Sequence, residues 1–263
     1  MIRRYWRVVA IKLRISAASA MAYRANFLLE GFMTLAWMFQ TMLPLFVVFS
    51  SRDTVAGWDI PSTLIIIAYF TAVHAVLEGI ISPSLVDLVE RIRSGSFDYV
   101  LLKPIDAQAM MSSSRQEPWK VLDLLAALAI VVYAFIRRGY APAPADVALG
   151  IVMFFAGVAA MYGLFVMCAA ASFWVVRLDN LTYLLEAVFD TARWPIQVFR
   201  GAWRFVFTFV VPLALMTTFP AMALLGRLEA ATALATVAGA LAMLAVSRIV
   251  WVAAIRSYTS ASS

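Results

Sequence analysis

Six apolar runs divide this chain, at residues 27–50, 60–82, 119–136, 147–176, 205–225 and 230–255. Each reaches or approaches the roughly 20 residues that carry a helix across hydrocarbon. None alternates polar and apolar positions with the period of two that a membrane strand requires, so each predicts a helix and the fold class is all-α. The longest polar interval, 83–118, opens on "SLVDLVERIRSGSF". There Leu85, Leu88, Val89 and Ile92 share one helical stripe, Asp87, Glu90, Arg91 and Arg93 lie off it, and Gly95 is a suitable stop. This predicts a short amphipathic helix followed by an extended "VLLKP", a shape suited to docking; the pattern also fits a helix resting on lipid.

Basic residues set the orientation. Residues 1–24 place Arg3, Arg4, Arg7, Lys12, Arg14 and Arg24 among Tyr5, Trp6, Val9, Leu13 and Ile15, the pattern of an interfacial amphipathic helix. A plain basic flank would orient the chain the same way, with the N-terminus in the cytoplasm. From there 51–59 lies outside, 83–118 inside, and the Pro-rich "RRGYAPAPAD" outside. Beyond Arg177 two topologies compete. Either 178–204 is a cytoplasmic connector and 205–225 the fifth span, or 178–199 is a polar fifth span and 200–225 a pair of half-helices dipping in from outside. Charge counting favours the first, keeping Arg193, Arg200 and Arg204 inside. Pro212 and Pro220 favour the second, since broken helices are tolerated at membrane depth where protein covers them.

Composition agrees with a membrane domain. Of 263 residues 64% are apolar and 14% charged, and mean hydropathy is +0.88, more than a soluble core of this size needs. The net charge of +6 gathers at span ends, which points to lipid head groups and not to nucleic acid. Cys168 is the sole cysteine, which excludes an internal disulfide and a cysteine metal site. The first apolar run is too long for a secretory signal, no repeat is evident, and every loop is too short to fold alone. Residues 1–263 therefore read as one membrane domain.

Most chemistries are excluded. The lysines are Lys12, Lys103 and Lys120, none in a phosphate-cradling loop, so any ATP is bound by another chain. One histidine, His74, rules out sites needing several imidazoles, and no hydrolase or zinc-protease motif occurs. Ionisable groups within apolar runs remain. Glu186, Asp190 and Arg193 share one helix face, and His74 and Glu78 are four residues apart on the second run. Each set fits either an internally neutralised patch or a solute pathway.

The order "ERIRSGSFDYVLLKPIDAQ", with "RRYWRVVAIKLRISAASAMAYRANFLLEG" before it and "FTFVVPLALMTTFPAMALLG" after it, resembles type 2 ABC exporter permeases, in particular a bacterial subfamily, over nearly the whole chain. The resemblance implies six spans with both termini cytoplasmic in the bacterial inner membrane, an interfacial helix at 1–24, a coupling loop at 83–118, and a re-entrant region at 200–225. It therefore selects the second topology. It implies two permeases, identical or related, and two separate ATPase subunits that bind ATP and magnesium, with no cofactor in this chain. ATPase coupling would fall on Asp87, Glu90, Arg91, Arg93, Phe97, Asp98, Lys103 and Pro104. His74, Glu78, Glu186, Asp190 and Arg193 would line the path of a hydrophobic or cationic amphiphilic solute. A proton-coupled carrier and a membrane scaffold without its own solute stay open as alternatives.

Overall fold

The computed structural model of the protein describes residues 24–174 and 187–258. The N-terminal interfacial helix, apart from its last residue, and Glu186 lie outside the described residues. Apart from an isolated bridge between Val55 and Trp58, the described residues form helices and turns. In chain order these are α1 (Arg24–Phe49), α2 (Ile60–Val76), α3 (Ser82–Arg93), α4 (Asp98–Leu101), α5 (Ala107–Met111), α6 (Val121–Arg138), α7 (Pro144–Ala170), α8 (Ala202–Phe205), α9 (Phe219–Leu224) and α10 (Ala230–Ser257). Five helices among the described residues are long and apolar enough to cross a membrane, and the chain is a multi-pass membrane protein.

The second of these is longer than the sequence suggests. A π-helical turn, Leu77–Ile81, joins α2 to α3, so that Ile60–Arg93 runs on for 34 residues. At about 1.5 Å per residue this is about 50 Å, well beyond the ~30 Å of a hydrocarbon core. The separate amphipathic helix expected after residue 82 is instead the end of this rod. Pro83 lies inside this continuous rod, and it does not break it because the hydrogen bond it cannot donate is replaced from the loop. The carbonyl four residues before Pro83, that of Gly79, takes the N–H of Glu117 at 2.8 Å.

α2 is apolar on all sides and accordingly central: Ile65, Ile66, Ile67 and Ala68 are buried among α6, α9 and the end of α1. Its start is fixed by Asp59, whose carboxylate accepts the Ser62 N–H at 3.2 Å. Arg138, at the end of α6, donates to Asp59 at 3.4 Å and to the Ser62 hydroxyl, which makes α2 and α6 antiparallel neighbours. Burial alone would raise the pKa of Asp59, but these hydrogen bonds and the Arg138 charge outweigh it and hold the carboxyl below its ordinary value.

Residues 205–225 are not one helix. α8 and the π turn Val206–Val210 form one arm, the π turn Ala214–Thr218 and α9 a second, and the chain turns between them at Pro212. The arms are antiparallel, since Arg204 and Phe205 at the start of the first share a cavity with Phe219 and Met222 of the second. The second arm runs against α7 in the opposite sense: Gly150 faces Leu224, and Gly157 faces Leu215 and Met216. Gly157 stands midway along the 27 residues of α7, so this hairpin enters from the end of the bundle that carries Asp146 and turns near its middle. The continuous fifth span favoured by charge counting is thereby corrected, because Pro212 interrupts the ladder and each arm is too short to cross.

Gly157 is required for that seat. A Cβ there would lie 2.8 Å from the Leu215 carbonyl oxygen and 2.9 Å from the Met216 Cα, both backbone atoms with nowhere to move. Gly157→Val is expected to destabilise the detergent-purified protein by about 1–3 kcal/mol through overpacking. A thermal unfolding curve equal to that of the parent protein would show that the hairpin is not seated there.

Candidate functional site

Two groups of polar residues stand out, one within the bundle and one at the end opposite the hairpin mouth. The first gathers at the π turn. Glu78 projects from it toward Lys120, with Nζ to Oε2 at 2.5 Å, and its other oxygen lies 3.4 Å from His74 Nε2. Lys120 also meets Asp123 at 3.4 Å. The Lys120–Glu78 approach exists because Gly79 has no side chain: a Cβ there would come 3.2 Å from the Lys120 Cβ. One aromatic layer away lies a second pair, Asp190 and Arg193 at 3.3 Å, whose guanidinium stands 5.5 Å from the centre of the Phe70 ring. Phe70 and Phe189 stack on each other and both flank His74, with ring centres 5.2–6.2 Å apart. Thus the structure brings His74, Glu78, Asp190 and Arg193 into one neighbourhood. The space beside His74, Trp37 and Asp123 is tight, a cavity of about 10 Å³ with room for about one water, whereas the Glu78 and Asp190 side chains remain 35% and 37% exposed.

The second group is the 94–118 interval. It is strapped back onto the rod: buried Ser84 donates to the Arg115 carbonyl at 2.9 Å and accepts the Arg115 N–H at 3.3 Å. Gln108 and Ser112 reach Tyr162 of α7 at 3.2 and 2.5 Å. Arg248 of α10 donates to Asp106 at 2.5 and 3.1 Å and to Gln108 at 2.8 Å. Burial acts to raise the pKa of Asp106, yet the Arg248 guanidinium and the Ala109 and Gln108 amides outweigh it and hold the carboxyl below its ordinary range. Both partners of the Asp106–Arg248 pair are close to half exposed, so its charge attraction is worth at most about 1 kcal/mol; its fork geometry fixes position more than stability.

What this strapping leaves uncovered is a small knob. The expected extended "VLLKP" is a helical turn, α4, and on it and just after it Tyr99 is 70% and Leu102 80% exposed, beside exposed Lys103 and Pro104. Glu90 and Arg93, at the end of the rod, are exposed nearby in sequence, and Asp87 and Arg91 pair with each other at 2.9 Å. Phe97 differs. It is wholly buried, edge-on to Phe173, Trp251 and Tyr258, so it can act on a partner only by holding the loop, and Asp98 opens α4 beside it. Leu85 and Leu88 of the predicted stripe are core residues, which rules out a helix resting on lipid by that face.

Sequence reasoning missed Asp123, Arg248 and the inward role of Lys120. Each carried a signal, an ionisable residue inside or bordering an apolar run, but only the fold shows what it meets. A third feature is a cavity of about 700 Å³ between α1, α2 and α6, lined mainly by apolar residues such as Met38, Met42, Phe46, Leu64 and Ile130 and also by Asp53, Asp59 and Arg137.

The described residues thus form a multi-pass helical bundle with an ionic cluster at the π turn and an overlong helix followed by an exposed apolar turn. A family model described as ABC-2 family transporter protein matches residues 35–262, and the chain belongs to that family, the type 2 ABC permeases. Its members are membrane subunits that lack a nucleotide-binding domain of their own and work with ATPase subunits. No curated protein and no solved structure matches the chain.

Proposed function

We propose that this chain is one of two permeases of an ATP-driven exporter in the bacterial inner membrane, moving a hydrophobic or cationic amphiphilic solute outward. The knob of Tyr99, Leu102, Lys103 and Pro104, with Glu90 and Arg93, docks a separate ATPase subunit on the cytoplasmic side. ATP and magnesium are held by that subunit. The observation that carries this reading is the exposure of Tyr99 and Leu102 at the end of a rod too long for the bilayer, since large apolar side chains held in water mark a partner surface.

Closure of the ATPase pair pushes on the rod, and the strap from Ser84 and Gly79 to residues 115–120 passes that push to α6 through Lys120. The energy enters as tighter nucleotide binding to one of two states. The ionic cluster marks the closed path, and the methionine-lined cavity is of the size that takes a drug-sized solute. The hairpin, opening on the outer side, is the re-entrant region. Vesicles containing this permease and its ATPase are expected to export a cationic dye on ATP addition and to continue when the proton gradient is collapsed. Export that follows the proton gradient would make the chain a proton-coupled carrier, and vesicles that move nothing would leave a scaffold.

A further inference from the structure

The mouth of the hairpin holds a cavity of about 580 Å³ whose chemistry the transport reading does not use. Arg204 and Thr208 line it from the first arm and Arg227 from the turn after α9, with Glu229 just before α10. Phe219 and Met222 supply an apolar wall. Gln197 also lines it, with its amide nitrogen donating to the Met222 sulfur at 3.8 Å.

The two arginines are unusual for their place. Arg138, at the same end of the bundle, has Asp59, Ser62 and Tyr140 as partners. No ion pair among the described residues involves Arg204 or Arg227, although Glu229 lines the same cavity. On an outward-facing mouth they also run against the rule that places basic residues inside. Trp203 and Phe205, 65% and 60% exposed, flank Arg204 and give it the aromatic setting of a head-group boundary. Two guanidiniums beside an apolar wall suit a phosphate carried on an acyl chain. The carboxylate of Glu229 suits an amine next to that phosphate.

We infer that this cavity binds the phosphate head group of a phospholipid, seated by Arg204 and Arg227 at the mouth of the hairpin. The inference rests on the membrane placement of the hairpin and not on which solute is exported. It is tested without the ATPase. Delipidated permease in detergent is titrated with phosphatidylethanolamine and occupancy read by native mass spectrometry. Arg204→Gln and Arg227→Gln are expected to weaken binding about fivefold each, and the paired lysine variants to retain most of it. Both side chains are exposed, so these variants fold, as their unfolding temperatures will confirm. Equal lipid affinity in the double glutamine variant, or equal binding of a diacylglycerol that has no phosphate, overturns the inference. Binding of inorganic phosphate with no binding of phospholipid would move the site to a free anion and overturn the lipid as its occupant.

Discussion

Replacing Tyr99 by Ala and Leu102 by Asp together is expected to abolish co-purification of the ATPase and its stimulation by the permease, while membrane insertion and unfolding temperature stay at parent values. The two side chains are 70% and 80% exposed, so their loss removes little from the core of the free protein. At a docked interface they would be desolvated anchors, where truncation commonly costs about 2 kcal/mol or more, about thirtyfold in affinity, and the new carboxylate adds a buried charge. Charge reversal at Glu90 should have a smaller effect, because it lies at an exposed rim. A double variant that binds the ATPase normally would show that the knob is not the docking surface. A variant that no longer folds would show that the exposure is misread.

Lys120→Met should destabilise the permease by about 3 kcal/mol. The substitution leaves Glu78 and Asp123 without their shared cation, and the Asp123 side chain is only 10% exposed. Removing the whole group at once, as Glu78→Gln, Lys120→Met and Asp123→Asn, should restore most of that stability, since a neutral set of similar shape no longer buries an uncompensated charge. The two readings of the cluster part here. If it links the strap to α6, the neutral triple variant is stable and binds ATPase but exports slowly. If it is only an internally neutralised patch, that variant exports at the parent rate. Unfolding temperature and ATP-driven dye efflux, measured on the same preparations, separate these outcomes.

Much of the architecture was legible because hydrocarbon admits few structures. A run such as 60–82 or 230–255 must close its own hydrogen bonds, so length and composition were enough to predict helices there. Local signals also worked where their cause is local: the stop at Gly95, which adopts a positive φ of 71°, and the breaking effect of Pro212. Two readings failed for one shared reason, that a distant partner altered the local preference. Pro83 did not end the second helix, because Glu117 from the loop supplies the N–H that the Gly79 carbonyl lacks. The "VLLKP" stretch reads as extended, yet it turns helically because the loop is tied at Asp106 and Gln108.

By itself the sequence determined that the chain is a helical membrane domain, where its apolar runs begin and end, and which ionisable groups need an explanation. These follow from the cost of exposing backbone or charge to lipid, a cost each segment bears alone. Which charges meet was decided only by the tertiary structure. Lys120 and Glu78 are 42 residues apart, from 120 minus 78, and Arg248 and Asp106 are 142 apart. No spacing rule links them. Their pairing depends on how the start of α6 meets the π turn, where Gly79 faces Lys120, and on how α10 seats against α7, where Gly163 faces Met243, contacts that only the folded bundle creates.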